Sequence, residues 1–269
     1  MFRILRGASG ERVFKIATIS ALALLAIFFI GIIASLVAYT RWDTFIDALF
    51  SEEILFAIRL SLTTATISAI ISILIAVPVA YAISRTQFPG KDIVDSLLDL
   101  PIVISPVALG AALLVFFNTP LGAAIDDNII SFVFSIPGIV LAQITVISAL
   151  AIRLLKSTFD SIDPRYEQVA RTLGCSRAEA FFRVTLPLAK DGLIASTILT
   201  WARAVGEFGA TVMLAGATAM KTETLPTAIF LSLASADVEK AIAVIFVLII
   251  IAVIALLAIR KIIGRRHQI

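Results

Sequence analysis

The chain has almost none of the residues from which active sites and metal centres are commonly built: one cysteine, Cys175, and one histidine, His267, in 269 residues. A single thiol excludes an internal disulfide, and neither residue can by itself make a metal cluster or a Cys/His catalytic pair. Cys175 follows Gly174 at a turn, where a small tolerated residue is the simplest reading. The sequence contains no Gly-x-x-x-x-Gly-Lys-Ser/Thr phosphate loop, no Gly-x-Ser-x-Gly elbow and no His-Glu-x-x-His pair. The nearest approach to a phosphate loop, residues 216–222, lacks the second glycine. ATP binding by that route is excluded, no cofactor is expected, and the polypeptide reads as non-enzymatic. If the chain moves a solute across a membrane with energy, that energy comes from an ion gradient or a separate subunit. Charge is scarce too, at 15% of residues, which is too little to cover a soluble surface. With 60% hydrophobic residues the chain belongs among all-α, multi-pass membrane proteins. Its net charge of +3 does not point to nucleic acid, because the basic residues divide by membrane side rather than gather in a groove.

Six apolar runs are near or above the roughly 20 residues that a helix needs to cross a bilayer. They cover 16–39, 60–84, 93–117, 129–152, 192–216 and 241–259. The first is too long for a signal-peptide core and reads as a retained span. Pro78, Pro101, Pro106 and Pro137 are expected to bend or break their helices. Orientation follows from lysine and arginine. With the N-terminus inside, the inner side collects Arg3, Arg6, Arg12, Lys15, Arg85, Lys91, Arg153, Lys156, the basic residues of 165–190 and those of 260–266. The outer side receives only Arg41, Arg59, Lys221 and Lys240. The positive-inside rule then places both termini in the cytoplasm of a cell (plasma or inner) membrane protein. The basic N-terminal tail could also contact anionic membrane lipid, although topology setting accounts for it. A single transmembrane domain over 1–269 is the economical organisation.

A polar island at 163–187 interrupts the apolar pattern, within a loop of about 157–190 on the inner side. Asp163 is a good N-cap, Pro164 suits a first helical turn, and Gly174 supplies a stop. Ser176 with Glu179 makes a capping box for a second helix. Tyr166, Val169, Ala170 and Leu173 fall on one stripe, and Ala178, Phe181, Phe182 and Leu186 on another. Two amphipathic helices outside a bilayer either cover the chain's own helix ends or dock a soluble partner. The spacing alone leaves both open.

The fifth apolar run contains the two most deeply placed ionisable residues, Arg203 and Glu207, about 17 and 22 Å from Gly192 along a continuous helix. Each costs about 3 kcal/mol at mid-bilayer on insertion scales, so both should face protein or water. They read either as a translocation-pathway or gate pair, with Arg203 offering donors to an anion, or as a structural ion pair. Gly206 and Gly209 would let a neighbouring helix approach closely.

Aligned on Gly174, the island resembles the cytoplasmic loop motif of permease subunits of ATP-binding-cassette importers: Glu-Ala-Ala, three residues, Gly, nine residues, Ile-x-Leu-Pro. The triplet falls on Gln168, Val169 and Ala170 and keeps only its last alanine, with Glu167 one position early. The distal end falls on Val184, Leu186 and Pro187. Phe88 to Lys91, Asp99 through Pro106 to Gly110, and Ala202 through Thr211 resemble the molybdate, tungstate and sulfate branch. Ser105 stands where a second consecutive proline is usual. The segment 216–230 is more similar to the molybdate/tungstate group. The resemblance implies a type I importer permease fold of six transmembrane helices with a cytoplasmic two-helix coupling loop. It also implies a homodimer, two ATPase subunits on the cytoplasmic side, and an external binding protein that delivers an oxyanion. In that family the coupling loop, here Glu167, Gln168, Val169, Ala170, Leu173, Gly174, Phe181, Phe182, Leu186 and Pro187, docks on the ATPase. The expected pathway residues are Arg203, Gly206, Glu207, Gly209, Thr211, Pro101, Ser105 and Pro106. A sulfate or thiosulfate permease of the same kind is the alternative substrate class. An ion-coupled secondary transporter would also suit the prolines and the buried charges. A non-transporting scaffold would explain the spans but not those charges.

Overall fold

The computed structural model describes the backbone of residues 8–264 and the side chains of most of them. Arg3, Arg6, Arg265, Arg266 and His267 lie outside the described residues. Every regular element among the described residues is helical. The chain divides into two compact units, 1–47 and 48–269. The first contains α1 (Ala8–Tyr39) and most of α2 (Trp42–Leu49). Beyond Lys15, α1 is apolar on every face, the pattern of a helix solvated by lipid.

In the second unit, α3 (Glu52–Arg85) and α7 (Ile136–Asp160) form the most extensive helix pair. Small residues make this contact possible. α3 buries Ala57, Ala65, Ala69, Ala76 and Ala80, and α7 buries Ala149 and Ala151, which lets the two helices lie close while larger residues such as Ile83, Leu155 and Phe159 fill the remaining core. α11 (Lys190–Val205) packs on both, and α12 (Gly209–Ala215) packs on α5 (Pro106–Phe117) and α7. α13 (Leu225–Ala234) and α14 (Val238–Gly264) pair with each other. The short α6 (Pro120–Asn128) follows α5.

The architecture is all-helical and membrane-type, with four helices among the described residues long and apolar enough to cross a bilayer, or five if one bent pair counts as a span. Three expected spans differ in detail. The run 93–117 is two helices, α4 (Lys91–Val103) and α5, meeting at 108°. Pro101 stays inside α4, whereas Ser105 caps α5 and Pro106 opens it, so the break falls at the extended residues Ile104 and Ser105. The run 129–152 becomes helical only at Ile136. Its Pro137 sits in the first turn, where a missing amide costs nothing, and the helix continues to Asp160. The run 192–216 is broken at Gly206 to Phe208 into α11 and α12. Pro78, by contrast, is accommodated within an unbroken α3.

Candidate functional site

The island folds as a helical hairpin. The Asp163 carboxylate accepts from the Arg165 amide at 2.9 Å and starts α8 (Arg165–Thr172). Gly174 ends it at φ +97°, a conformation that a side chain would strain. The Cys175 amide donates to Ala170 O and the Gly174 amide to Arg171 O, which together make a Schellman stop. The second arm begins at α9 (Arg177–Ala180), where Ser176 and Glu179 form the reciprocal capping box. The bond from the Ser176 amide is the main reason the Glu179 carboxyl sits below its ordinary value. The arm continues through a π turn (Phe181–Thr185) into α10 (Leu186–Leu188). Pro187 cannot donate to Arg183 and its ring crowds that carbonyl, so the preceding turn widens.

The expected apolar stripe of α8 splits. Ala170 is buried, but Tyr166, Val169 and Leu173 point outward, Leu173 with 81% of its surface exposed. On the second arm Phe182 is exposed, Leu186 half-buried and Pro187 exposed. Phe181 instead turns inward against Tyr81, at 4.7 Å between ring centroids, and near Phe159.

Glu167 holds this hairpin to the bundle. Its Oε1 accepts from Arg85 Nε at 3.1 Å and Thr185 Oγ1 at 2.7 Å, and its Oε2 from the Tyr81 hydroxyl at 2.8 Å. One carboxylate thus joins α3, α8 and the π turn. Arg85 also donates to the Phe159 and Ile162 carbonyls, satisfying groups at the C-terminal end of α7. Burial alone would raise the Glu167 pKa, but the hydrogen bonds from Thr185, Tyr81 and Arg85 outweigh it and hold the carboxyl below the usual glutamate value. Beneath lies a core of Ala76, Ala80, Ile83, Ala151, Leu155 and Phe159. Arg85, Tyr81 and Thr185 were not among the expected site residues. Only the early position of Glu167 in the motif hinted that its acid does something other than face outward.

The second site is the break between α11 and α12. Arg203 lies in the last turn of α11 and Glu207 in the break, and the two pair there across the end of the helix. The cation lies at a helix C-terminus and the anion just ahead of a helix N-terminus, and both placements suit the helix dipoles. Glu207 Oε1 accepts from the Ala210 amide at 3.0 Å. Its Oε2 is 2.7 Å from Arg203 Nη1 but lacks hydrogen-bond alignment, so this contact is an ion pair rather than a directed bond. Glu207 is 1% exposed and Arg203 38%, which leaves much of the guanidinium uncovered. Gln143 on α7 stabilises the same break by donating to Ala204 O at 3.1 Å while its carbonyl oxygen accepts from Ser68 at 2.8 Å.

Of the other expected pathway residues, Gly209 does admit a close approach. A side chain there would collide with Pro106 and Val107, and one at Gly110 with the Ala210 backbone. Among the described residues, a side chain at Gly206 would meet only the carbonyls of its own helix, and Thr211 is fully buried with its hydroxyl unpartnered. Ser105 is exposed, Pro101 and Pro106 partly so, and the Ser105 hydroxyl accepts from the Ala108 amide. Beside this bend, Arg153 on α7 forms ion pairs with Asp95 and Asp99 of α4 and donates to Asp95 O at 2.8 Å. The i, i+4 spacing of Asp95 and Asp99 was the available signal for this clamp.

Residues 72–267 match the family model described as binding-protein-dependent transport system inner membrane component. A probable molybdenum ABC transporter permease protein of Haloferax volcanii is 41% identical over 207 residues, 77% of this chain and 75% of that one. A sulfate transport system permease protein of Synechococcus elongatus is 39% identical over 184 residues, 68% of this chain and 64% of that one. A molybdenum transport system permease protein of Escherichia coli (strain K12) is 37% identical over 177 residues, 65% and 77% of the two chains. Among solved structures, a chain of a bacterial alginate ABC transporter in complex with an alginate pentasaccharide-bound periplasmic protein superposes with a TM-score of 0.74. That match has 20% identity and covers 92% of this chain and 93% of that one. The chain is thus a member of the binding-protein-dependent inner membrane transport family, a multi-pass, non-catalytic ABC importer permease subunit with the type I permease fold.

Proposed function

We propose that this permease imports an oxyanion, molybdate or tungstate, as a homodimer with two ATP-binding-cassette subunits beneath it. The hairpin is its coupling element, both termini are cytoplasmic, and an external binding protein delivers the anion on the opposite side. The whole chain acts as one permease domain. The observation that carries this reading is the hairpin itself. Tyr166, Val169 and Leu173 form an outward apolar edge, while Glu167 bonds to Tyr81 and Arg85 of α3 and Phe181 packs on Tyr81 and near Phe159 of α7. A face that is apolar, exposed and braced from behind can transmit force to the bundle instead of yielding. ATP-driven closure of the ATPase pair would draw two hairpins together and open the pathway outward, and hydrolysis would reset it. Arg203 would offer its uncommitted donors to the passing anion, with Glu207 fixing its position and Gly209, Pro101, Ser105 and Pro106 shaping the adjoining bends.

Molybdate or tungstate is favoured over sulfate by the names of the relatives, one of them a molybdate/tungstate transport system permease protein of Thermococcus kodakarensis, although the sulfate permease match supports sulfate as a second reading. Two experiments test the proposal. Leu173→Asp should weaken ATPase co-purification by at least about tenfold, the loss expected for an interface anchor, while membrane insertion persists. Undiminished co-purification would refute the docking role. Uptake by the assembled transporter should follow molybdate and tungstate rather than sulfate, and sulfate preference would exchange the two substrate readings.

A further inference from the structure

On the side of α8 away from Tyr166, Val169 and Leu173 lies an open groove of about 930 Å³ between the hairpin and α3. At 3.6 residues per turn, Gln168 and Arg171 face it from the opposite side of the helix. Its two ends differ chemically. One is walled by Ile73, Leu74, Val77, Pro78 and Leu193, with Leu74 largely exposed to the groove. The other is rimmed by Arg85, Arg171 and Arg177, with Gln87 and Gln168 beside them. Arg85 is committed to Glu167, but neither Arg171 nor Arg177 pairs with a carboxylate among the described residues. From Ile73 to Arg85 the wall runs about 18 Å along α3, close to the roughly 15 Å depth of one leaflet's hydrocarbon.

We propose that this groove binds one anionic phospholipid, its phosphate between Arg171 and Arg177 and an acyl chain along Ile73, Leu74 and Val77. A soluble peptide would match the basic rim but not a wall that continues a leaflet's depth into the apolar region. An anionic lipid matches both, since basic pockets at the cytoplasmic interface attract acidic headgroups. The inner-leaflet assignment rests on the cytoplasmic placement of the hairpin, whereas the groove's chemistry does not. The lipid would sit against Phe181 and Phe182 and wedge the hairpin from its rear.

Native mass spectrometry of the full chain in detergent, titrated with phosphatidylglycerol or phosphatidylcholine of equal acyl length, tests this. The first phosphatidylglycerol should bind roughly 30-fold tighter, the factor that two arginines near an anionic surface contribute. The double variant Arg171→Gln/Arg177→Gln should bring the two lipids within about threefold. Leu74→Trp keeps both arginines but fills the apolar end at an exposed position, and it should weaken phosphatidylglycerol binding at least tenfold with the thermal unfolding midpoint unchanged. Equal binding of the two lipids, or a preference that survives the double arginine variant, would overturn the proposal. So would undiminished binding to Leu74→Trp, which would reduce the arginines to surface attraction, or full displacement by inorganic phosphate, which would make this an anion site only.

Discussion

At the hairpin, Glu167 meets Arg85 from a helix more than eighty positions away; at the membrane break, Glu207 meets Arg203 from the turn just before it. Both acids stabilise a junction between a long helix and short ones, yet their surroundings differ. Glu167 has both oxygens in directed hydrogen bonds from three side chains on two other segments, so the hairpin cannot rotate without breaking several bonds at once. Glu207 spends one oxygen on a backbone cap and leaves the other in an unaligned ion pair with a half-exposed arginine. The first arrangement suits a rigid lever, and the second leaves a cation available to something else. That difference is the main physical argument for assigning force transmission to one site and anion contact to the other.

The largest effect should come from removing the deeper acid. Glu207→Ala leaves the buried Ala210 amide without its acceptor and removes the ion pair of a partly exposed Arg203, and should cost about 3 kcal/mol, read as a fall in the thermal midpoint. Glu207→Gln keeps an acceptor for Ala210 and should cost less. If the two variants were equally harmful, the carboxylate's charge would matter more than its capping bond.

Glu167→Ala should cost about 2 kcal/mol through its lost charge-assisted bonds, concentrated in the hairpin. Amide exchange in α8 should accelerate while exchange in the middle of α7 stays slow. Uniform acceleration would mean that the hairpin and bundle unfold together and that the lever is not a separable part. The same carboxylate sets a pH dependence. Its folded pKa lies below the unfolded value near 4.5, so its stabilisation is complete above that value and is lost as pH falls through the folded one. After correction for intrinsic exchange rates, α8 protection should be flat from pH 8 to about pH 5 and should weaken only in more acidic solution. Weakening near neutrality would point to another titrating group.

The smallest stability effect is expected at the hinge of the hairpin. Gly174→Ala places a side chain at φ +97° and should cost about 1 kcal/mol, with open space around it so that no collision adds to the penalty. A neutral Gly174→Ala would show that the hairpin relaxes there and is softer than its anchors imply.

What could be read from the sequence follows from how local each signal is. Asp163, Gly174, Ser176 and Glu179 act through neighbours within a few residues, so the two hairpin arms and their boundaries were legible. The kink near Ser105 and Pro106 was foreseeable as a break, but its angle was not, because it depends on α5 packing against α12 through Gly110 and Gly209. The interruption at Gly206 to Phe208 was hidden inside an apolar run, and what stabilises it includes Gln143, over sixty positions earlier. Likewise the inward turn of Glu167 and Phe181 depends on Tyr81, Arg85 and Phe159, which share no sequence pattern with the island. Polarity and capping identified the hairpin as a unit. Only the three-dimensional neighbours decide which of its residues are anchors and which are contact surface.

The most direct test is site-specific crosslinking of the assembled transporter during ATP turnover, with Cys175→Ser removing the native thiol and single cysteines placed at Leu173 and, as an inward control, Ala170. Capture of the ATPase subunit from position 173, with a yield that changes as ATP is hydrolysed, and little or none from position 170, is the predicted result. Equal capture from both positions, or none from Leu173 in a transporter that still imports its substrate, would contradict the assignment of that outward edge as the coupling surface.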